Sequence, residues 1–412
     1  MNVKLGRRIL KLQNVGGINI ENEFNPKQIK HMVVNLTNQC NLRCKYCFTD
    51  HNSRKMDLDT LKQAIKFGTE TCSVKRVTFF GGEPMLEFDT LIRPITEWVE
   101  KENIDITFGM TTNGTLLNEE RIKWLSEHNI GFLLSIDGNK DSQDYNRPQI
   151  DGKGSFDLVQ PNLKTILTYF PNITFRSTVT PYSANNLVQD YLFAREQGFQ
   201  FYYIVPDCLN FQWTEEDLTT LFENYSIILE IMYRDITLNI CPLEISQFVK
   251  SLSKTLPYWK EPNKENTTTH LHRCGLGTTG IGISPEGLIS GCQEHCTYKE
   301  DTSPFYIGDI WNGFNKEKQE KLWSYIKNNK YITNRNQDCE KCPNRKVCSA
   351  SYCPSHNWLN CKDLSKQDDI SCKWNTFQNG ISLILLDKAA RDNNGPFSEW
   401  ITRRLKNNNY AN

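Results

Sequence analysis

The stretch that decides the fold is CNLRCKYC at residues 40–47, which closely follows the apolar run Met32–Leu36. It places three cysteines at x3 and x2 spacing, and three soft ligands this close together can hold one metal centre. They are one ligand short of the four thiolates that close an ordinary iron–sulfur cluster. Since catalytic metal sites keep a coordination position open, the spacing predicts a site of chemistry.

Outward from this loop, apolar runs alternate with amphipathic stretches as far as about residue 205. The apolar runs predict six strands: Met32–Leu36, Arg76–Phe80, Ile104–Met110, Gly131–Ile136, Ile173–Val179 and Phe201–Val205. The stretches between them predict helices at about 57–71, 87–101, 118–129, 155–169 and 186–197. A strand–helix series of this length favours an α/β fold with a parallel sheet, an open, partial (β/α)6 barrel of the TIM type. Ligands bind such folds at the C-terminal ends of the strands, so the cysteine loop is predicted to lie at the functional edge.

Composition narrows the class of protein. Of 412 residues, 48 are Lys or Arg and 48 are Asp or Glu, so the net charge is zero and no nucleic-acid partner is expected. We expect a cytoplasmic protein without a membrane segment, because no apolar stretch is long enough to span a bilayer and no secretion signal is evident. The 15 cysteines are an odd number, which together with that location makes disulfides a poor explanation and metal binding a better one.

The cysteines and the periodic segments also suggest a division of the chain. We expect an N-terminal extension at 1–30 with a possible β-hairpin, the partial barrel at 31–213, a helical bridge and linker at 214–269, a cysteine-rich domain at 270–375 and a helical tail at 376–412.

The loop resembles the radical S-adenosylmethionine (SAM) enzymes, whose signature is C-x3-C-x-aromatic-C, with Tyr46 as the aromatic residue. The resemblance implies that Cys40, Cys44 and Cys47 hold a 4Fe–4S cluster whose remaining iron is chelated by SAM. It also implies that cleavage of SAM yields a 5′-deoxyadenosyl radical that removes hydrogen from a substrate. For the three thiols alone, the alternative is a zinc site with His51 as the fourth ligand.

A second motif supports this resemblance. The sequence Gly81-Gly82-Glu83-Pro84 follows the second predicted strand, and in the family this motif receives the amino group of SAM. Glycine permits a close approach of the backbone to a ligand. By the same resemblance, further SAM contacts are expected at Asn113, Ser135, Asp137, Arg147 and Arg176. For each of these residues the alternative is turn chemistry or a salt bridge at the end of the sheet.

The later cysteines resemble the SPASM extension of radical SAM enzymes, which binds two auxiliary 4Fe–4S clusters. The match departs at Cys353, which follows Cys348 at x4 where x3 is usual. The resemblance assigns Cys274, Cys292 and Cys353 to auxiliary cluster one, and Cys339, Cys342, Cys348 and Cys372 to auxiliary cluster two.

Two points of this ligand set stay open. The fourth ligand of cluster one is either Cys296 or an open position that takes a substrate thiolate, and Cys361 competes with Cys372 for cluster two. A zinc ribbon is the alternative for the four cysteines from Cys339 to Cys353.

Radical SAM proteins with this extension mostly modify peptides or proteins, which leaves two main candidate functions. One is a maturase that installs a thioether or carbon–carbon cross-link in a ribosomally made precursor peptide. The other is an anaerobic sulfatase maturase, which forms formylglycine and uses an Asp base directly after the second cysteine of the extension. Here that position is Gln293, which cannot accept a proton, and Glu294 is the nearest carboxylate. The sequence therefore favours cross-linking.

The expected partners follow from this function. They are a precursor peptide and an electron donor such as flavodoxin or ferredoxin. Residues 1–30 are too few for the full leader-recognition domain of many peptide maturases, which leaves a separate leader-recognition protein, the C-terminal tail or no leader at all. A non-catalytic scaffold that binds zinc in both cysteine groups is the alternative from a different class.

Overall fold

The computed structural model describes residues 24–260, 277–297, 303–327, 347, 353–362, 364 and 369–406. The predicted N-terminal hairpin, the predicted linker at 261–269 and four of the predicted cluster ligands (Cys274, Cys339, Cys342 and Cys348) lie outside these residues. Within the described part of the chain, no helix combines the length and apolarity needed to cross a membrane.

All six predicted strands are present. They are β1 (His31–Thr37), β2 (Arg76–Gly81), β3 (Thr107–Thr112), β4 (Gly131–Ser135), β5 (Thr174–Val179) and β6 (Phe201–Pro206). Each pairs with the next in parallel, so their C-terminal ends meet at one edge. The sheet is open, and the predicted α/β class with a parallel, partial-barrel core is confirmed.

Helices connect these strands as the pattern predicts. They are α1 (Leu58–Lys66), α2 (Arg93–Lys101), α3 (Glu119–Glu127), α4 (Lys140–Asn146), α5 (Phe156–Val159), α6 (Leu163–Tyr169), α7 (Pro181–Ala184) and α8 (Leu187–Glu196). Side-chain caps begin several of them, such as Asp57, whose carboxylate accepts from the backbone N–H of Thr60 at 2.7 Å. The sequence analysis missed α4 because its residues, KDSQDYN, lack an apolar period.

Five further strands extend the sheet. They are β7 (Glu244–Ile245), β8 (Gly280–Ile283), β9 (Leu288–Ser290), β10 (Tyr306–Asp309) and β11 (Gly313–Phe314). The described strand order is β11-β10-β9-β8-β1-β2-β3-β4-β5-β6-β7. Because β8 pairs with β1 in parallel, the start of the cysteine-rich segment continues the barrel sheet on the side next to the cysteine loop. The sequence analysis treated that segment only as a separate unit.

The remaining described helices follow β6 in the chain. They are α9 (Glu215–Thr237), α10 (Ser246–Lys260), α11 (Lys316–Lys327), α12 (Pro354–Cys361), α13 (Asp369–Arg391) and α14 (Gly395–Lys406). The buried hydroxyl of Ser382 on α13 donates to that of Ser251 on α10 at 2.9 Å. The indole of Trp400 on α14 donates to Glu244 of β7 at 3.0 Å. The described part of the predicted tail, residues 376–406, therefore contacts β7, the strand at one end of the described sheet.

Candidate functional site

The cysteine loop begins directly after β1, at the C-terminal edge of the sheet. The pKa of the Cys44 thiol is raised to about 12, chiefly by burial; the charge of Arg147 lowers it, and the neighbouring thiols of Cys47 and Cys40 raise it. Burial likewise raises the pKa of Cys40 to about 12. The influence of Cys40 and Cys47 on Cys44 places the three thiols near one another, and their joint ligation of a cluster stays a prediction. Because metal ligation requires thiolates, these buried groups need a cation to hold them in that form.

Hydrogen-bond donors surround the sulfur atoms of this loop. The backbone N–H of Leu42 lies 3.4 Å from the Cys40 sulfur, and the Asn113 side-chain amide lies 3.9 Å from it. The Arg147 guanidinium approaches the Cys44 sulfur at 4.0 Å. Such donors stabilise negative charge on sulfur, so the surroundings suit thiolate ligands.

Three predicted SAM-contact residues contact one another. The Tyr46 hydroxyl donates to Asp137 at 2.6 Å, and Arg147 pairs with the same carboxylate at 3.0 Å. The Arg147 guanidinium also lies 5.2 Å from the centre of the Tyr46 ring. Asp137 and Arg147 are both buried, and the ion pair gives each of these buried charges a partner of opposite sign. This arrangement ties the cysteine loop to the end of β4.

The two glycines of the second motif meet the chain itself. Gly81 has a φ of +143°, and a Cβ there would lie 2.3 Å from the carbonyl oxygen of Thr37. A Cβ on Gly82 would lie 2.1 Å from the carbonyl oxygen of Gln39. The backbone N–H of Gly82 donates to Thr37 at 2.7 Å. The described contacts thus explain the glycines by the close approach of the cysteine loop to the end of β2.

Glu83 is fully engaged within the protein. Its carboxylate accepts from the Thr112 hydroxyl at 2.7 Å and from the backbone N–H groups of Asn113 at 2.8 Å and Met85 at 3.0 Å. Burial raises the pKa of Glu83 to about 7, although these hydrogen bonds lower it. Pro84, also buried, begins the short 3₁₀ turn that follows.

The other SAM-contact candidates lie at the same edge. Ser135 is the last residue of β4 and pairs with Arg176 of β5. The Arg176 guanidinium contacts the Thr178 hydroxyl, whereas Arg147 is committed to Asp137. Asn113 follows β3, and its amide bridges to Asn41 at 3.0 Å. The structure thus brings these predicted residues to one edge, and their contacts with SAM stay predictions.

A second group contains residues that sequence reasoning did not connect. Ligand atoms of Glu294, Cys353 and His356 all lie within 4.8 Å of one another. His356 faces Glu294 through Nε2 at 3.2 Å and Cys208 through Nδ1 at 3.1 Å. Burial opposes the charged form of Glu294, but His356 and the hydroxyl of Ser355 lower its pKa to about 2. The available sequence signals were the place of His356, three residues after Cys353, and that of Cys208 just after β6.

Cys296, the candidate fourth ligand of cluster one, packs against the sheet. Its sulfur packs against β8, where a Cβ on Gly282 would be 2.4 Å from it. Its backbone carbonyl accepts from Asn35 of β1 at 3.2 Å. Its place in a metal centre stays a prediction, as do those of Cys292 and Cys372, which are half-buried, and of Cys361, which ends α12.

Comparison with known families identifies the core. Residues 34–193, which include β1 to β5 and the cysteine loop, match the model of the radical SAM superfamily. The chain carries a radical SAM domain. The predicted family resemblance is therefore confirmed.

Known maturases resemble the chain beyond this domain. It is 29% identical over 199 residues to the cysteine-type anaerobic sulfatase-maturating enzyme of Clostridium novyi (strain NT), a match over 45% of this chain and about half (52%) of that relative. The solved structure of anSMEcpe with bound AdoMet has a TM-score of 0.68 at 21% identity, covering 91% of this chain and 98% of the other. Streptococcus suis SuiB bound to precursor peptide SuiA has a TM-score of 0.54 at 16% identity, over 90% and 87% of the two chains.

These likenesses class the chain as a radical SAM enzyme with a fold of the SPASM type. The radical SAM domain implies an iron–sulfur cluster and SAM. Cys40, Cys44 and Cys47 fit the cluster, because they offer three converging soft donors with hydrogen-bond donors near two of the sulfurs. The assignment of each ligand stays a prediction.

Proposed function

We propose that this radical SAM enzyme is a maturase that removes hydrogen from a side chain or α carbon of a peptide or protein. The observation that carries the proposal is the convergence of Cys40, Cys44 and Cys47 at the C-terminal edge of the sheet in a radical SAM domain. When bound there, a 4Fe–4S cluster and SAM supply the 5′-deoxyadenosyl radical that performs this chemistry.

The chain's own residues orient these groups. The three cysteines are the proposed ligands of the cluster, and Tyr46, Asp137 and Arg147 hold the loop that carries them. Because Arg147 is paired with Asp137, we assign the carboxylate of SAM to Arg176 in preference. The other residues that we propose to contact SAM are Gly81, Gly82, Glu83, Pro84, Asn113 and Ser135.

Cross-linking of a precursor peptide, as a thioether or a carbon–carbon bond, is the first candidate reaction. Gln293 occupies the position at which sulfatase maturases carry a base, and its side chain is exposed. The adjacent carboxylate of Glu294 is held by Ser355 and His356 and so is not positioned as a substitute base. This observation favours a reaction that does not need that base.

Formylglycine formation on a sulfatase is the second candidate. It is supported by the likeness to the cysteine-type anaerobic sulfatase-maturating enzyme, which is 29% identical over 199 residues. Both candidates share the same hydrogen abstraction and differ in the fate of the oxidised residue.

One experiment tests the proposal and separates the candidates. The anaerobically reconstituted enzyme is incubated with reductant, SAM and either a cysteine-containing precursor peptide or a peptide with a sulfatase active-site cysteine. We expect 5′-deoxyadenosine and a modified peptide. Loss of two hydrogen atoms without an aldehyde identifies a cross-link, and an aldehyde that reacts with hydrazine identifies formylglycine.

The matched control compares Cys40→Ala/Cys44→Ala/Cys47→Ala with Cys241→Ala, which changes an exposed cysteine outside both groups. The triple variant should lose SAM cleavage, and the single variant should retain it. SAM cleavage by the triple variant would refute the assignment of the cluster, and a colourless zinc protein would instead support the scaffold alternative.

An auxiliary cluster and two partner proteins are also part of this proposal. We propose that Cys339, Cys342, Cys348 and Cys372 hold an auxiliary cluster that accepts the electron left on the substrate. A flavodoxin or ferredoxin in the cytoplasm would reduce the enzyme, and a separate protein would present the leader of the peptide.

A further inference from the structure

The group formed by Glu294, Cys353 and His356 has the geometry of a metal site. The three residues offer a carboxylate, a thiolate and an imidazole whose ligand atoms lie within 4.8 Å of one another. Glu294 and His356 are each only about one fifth exposed (19% and 22%). Zinc and iron(II) accept this combination of oxygen, sulfur and nitrogen donors.

We propose that Glu294, Cys353 and His356 form one mixed-ligand metal site, in which a divalent metal centre takes a carboxylate, a thiolate and an imidazole. The ring nitrogen assigned to the metal is Nε2 of His356, which faces Glu294 at 3.2 Å. This inference concerns metal ligation alone and does not depend on which reaction the enzyme performs.

Neighbouring residues hold both non-sulfur ligands in place. The Cys208 sulfur lies 3.1 Å from Nδ1 of His356, so the nitrogen opposite the proposed metal has its own partner. The carbonyl oxygen of Cys208 accepts from Asn360 at 2.9 Å, which attaches the segment after β6 to α12. A second partner on the other ring nitrogen is the usual support of a metal-binding histidine. Cys208 is therefore a positioning residue.

The carboxylate is supported from the opposite side. The Ser355 hydroxyl donates to Glu294, and it lies 3.0 Å from Nε2 of His295. Nδ1 of His295 in turn lies 2.8 Å from the Ser303 hydroxyl. Ser355 and His295 are both buried. This chain of polar contacts fixes the orientation of Glu294, as the outer contacts of a metal site do.

The site changes the expected ligation of Cys353. In a 4Fe–4S cube each external ligand binds a different iron, so the ligands are separated by the width of the cluster. Ligand atoms grouped within 4.8 Å suit a single ion better. Zinc is accordingly the expected metal.

The test measures metal on the whole anaerobically purified chain. Zinc, iron and sulfide are counted per chain. The zinc K-edge absorption spectrum then shows which types of atom are bound to the zinc. We expect one zinc with mixed sulfur, nitrogen and oxygen ligation. His356→Ala and Glu294→Gln should each lower zinc affinity by at least tenfold, and Cys208→Ala should lower it by about 10–100-fold through lost positioning.

His128→Ala is the matched control, because His128 forms a similar contact with Glu100 at 2.7 Å on the surface of the barrel. It should leave every metal unchanged. A protein without zinc in which the electron paramagnetic resonance spectrum of one cluster changes in His356→Ala would place these residues at an iron–sulfur cluster and would overturn the single-ion site. Unchanged zinc content in both ligand variants would overturn the proposal, as would wild-type protein that has been stripped of zinc and then binds none when zinc is added back. Since the reconstitution with zinc uses wild-type protein, it tests the proposal even where a variant fails to fold.

Discussion

The hydroxyl of Tyr46 donates a hydrogen bond to the carboxylate of Asp137 across 2.6 Å. Tyr46 belongs to the cysteine loop after β1, and Asp137 follows β4, so this bond spans the functional edge of the sheet. The same carboxylate neutralises the buried Arg147 and accepts from the backbone N–H of Thr178 at 2.9 Å. Asp137 is therefore the point at which the cysteine loop, β4 and β5 are joined.

Tyr46→Phe removes this hydrogen bond and keeps the ring. We expect the free energy of unfolding to fall by about 1.5–3 kcal/mol, the usual contribution of a hydrogen bond to a charged group. Urea denaturation measures the change, and iron content after reconstitution shows whether the loop still binds its cluster. An unchanged midpoint would mean that this bond does not hold the loop.

Asp137→Asn should have a larger effect, because it leaves the Arg147 charge without its carboxylate partner. Both side chains are buried, at 0% and 6% exposure. Breaking such a pair costs about 3–5 kcal/mol. Asp105→Asn is the control, since it breaks an exposed ion pair with Lys75 and should change stability by less than about 1 kcal/mol. Equal effects of the two variants would contradict the role given to Asp137.

Gly82→Ala tests the close approach of the cysteine loop to β2. The added Cβ would lie 2.1 Å from the carbonyl oxygen of Gln39, so backbone must move. We expect a loss of about 1–3 kcal/mol and weaker retention of the cluster. Gly131→Ala in β4 is the matched control, because no atom lies within 4 Å of its built Cβ. Thermal denaturation with a parallel iron assay separates the two variants.

Asp190 predicts a pH dependence of stability. Burial raises its pKa to about 8, although the Ser142 hydroxyl and the Asn139 backbone N–H donate to it. The unfolded carboxyl titrates near about 4. Between these values the folded chain holds a proton that the unfolded chain has lost, so the free energy of unfolding falls as the pH rises from about 4 to about 8.

Asp190→Asn should remove this component, because the amide stays neutral. The measurement is chemical denaturation of wild type and variant between pH 5 and pH 8, in steps. The difference between the two curves should narrow towards acid pH. Parallel curves would show that Asp190 is ionised throughout the range in the folded chain.

The strands of the barrel could be predicted because their residues are mostly buried or half-buried and read as apolar runs. Met32–Leu36 and Phe201–Val205 each lie within the observed β1 and β6. The polar helix α4 could not be predicted, since its stability comes from the cap of Asn139 and from tertiary contacts such as that of Gln143 with the Asp137 backbone. Local pattern carries no signal for such contacts.

The place of the candidate site could be predicted from the sequence, but the contacts among its side chains could not. The CNLRCKYC spacing and its position after a strand located the loop, because three cysteines within one short loop converge without help from distant residues. Arg147 and Asp137 were both predicted as ligand contacts, but from sequence their mutual pairing at 3.0 Å was only a general alternative. This ion pair joins the end of β4 to the end of α4, so it depends on how the two elements are placed, which the local sequence does not record.

The sequence by itself therefore determined the parallel core, the edge at which chemistry occurs and the three converging thiols, since each depends on local spacing and on the alternation of strand and helix. Only the tertiary structure joined β8 to β1 and brought His356, 148 residues away in the chain, to Cys208. The physical reason is that such contacts follow from the packing of distant segments, and that packing places Glu294 and Cys353 around one imidazole.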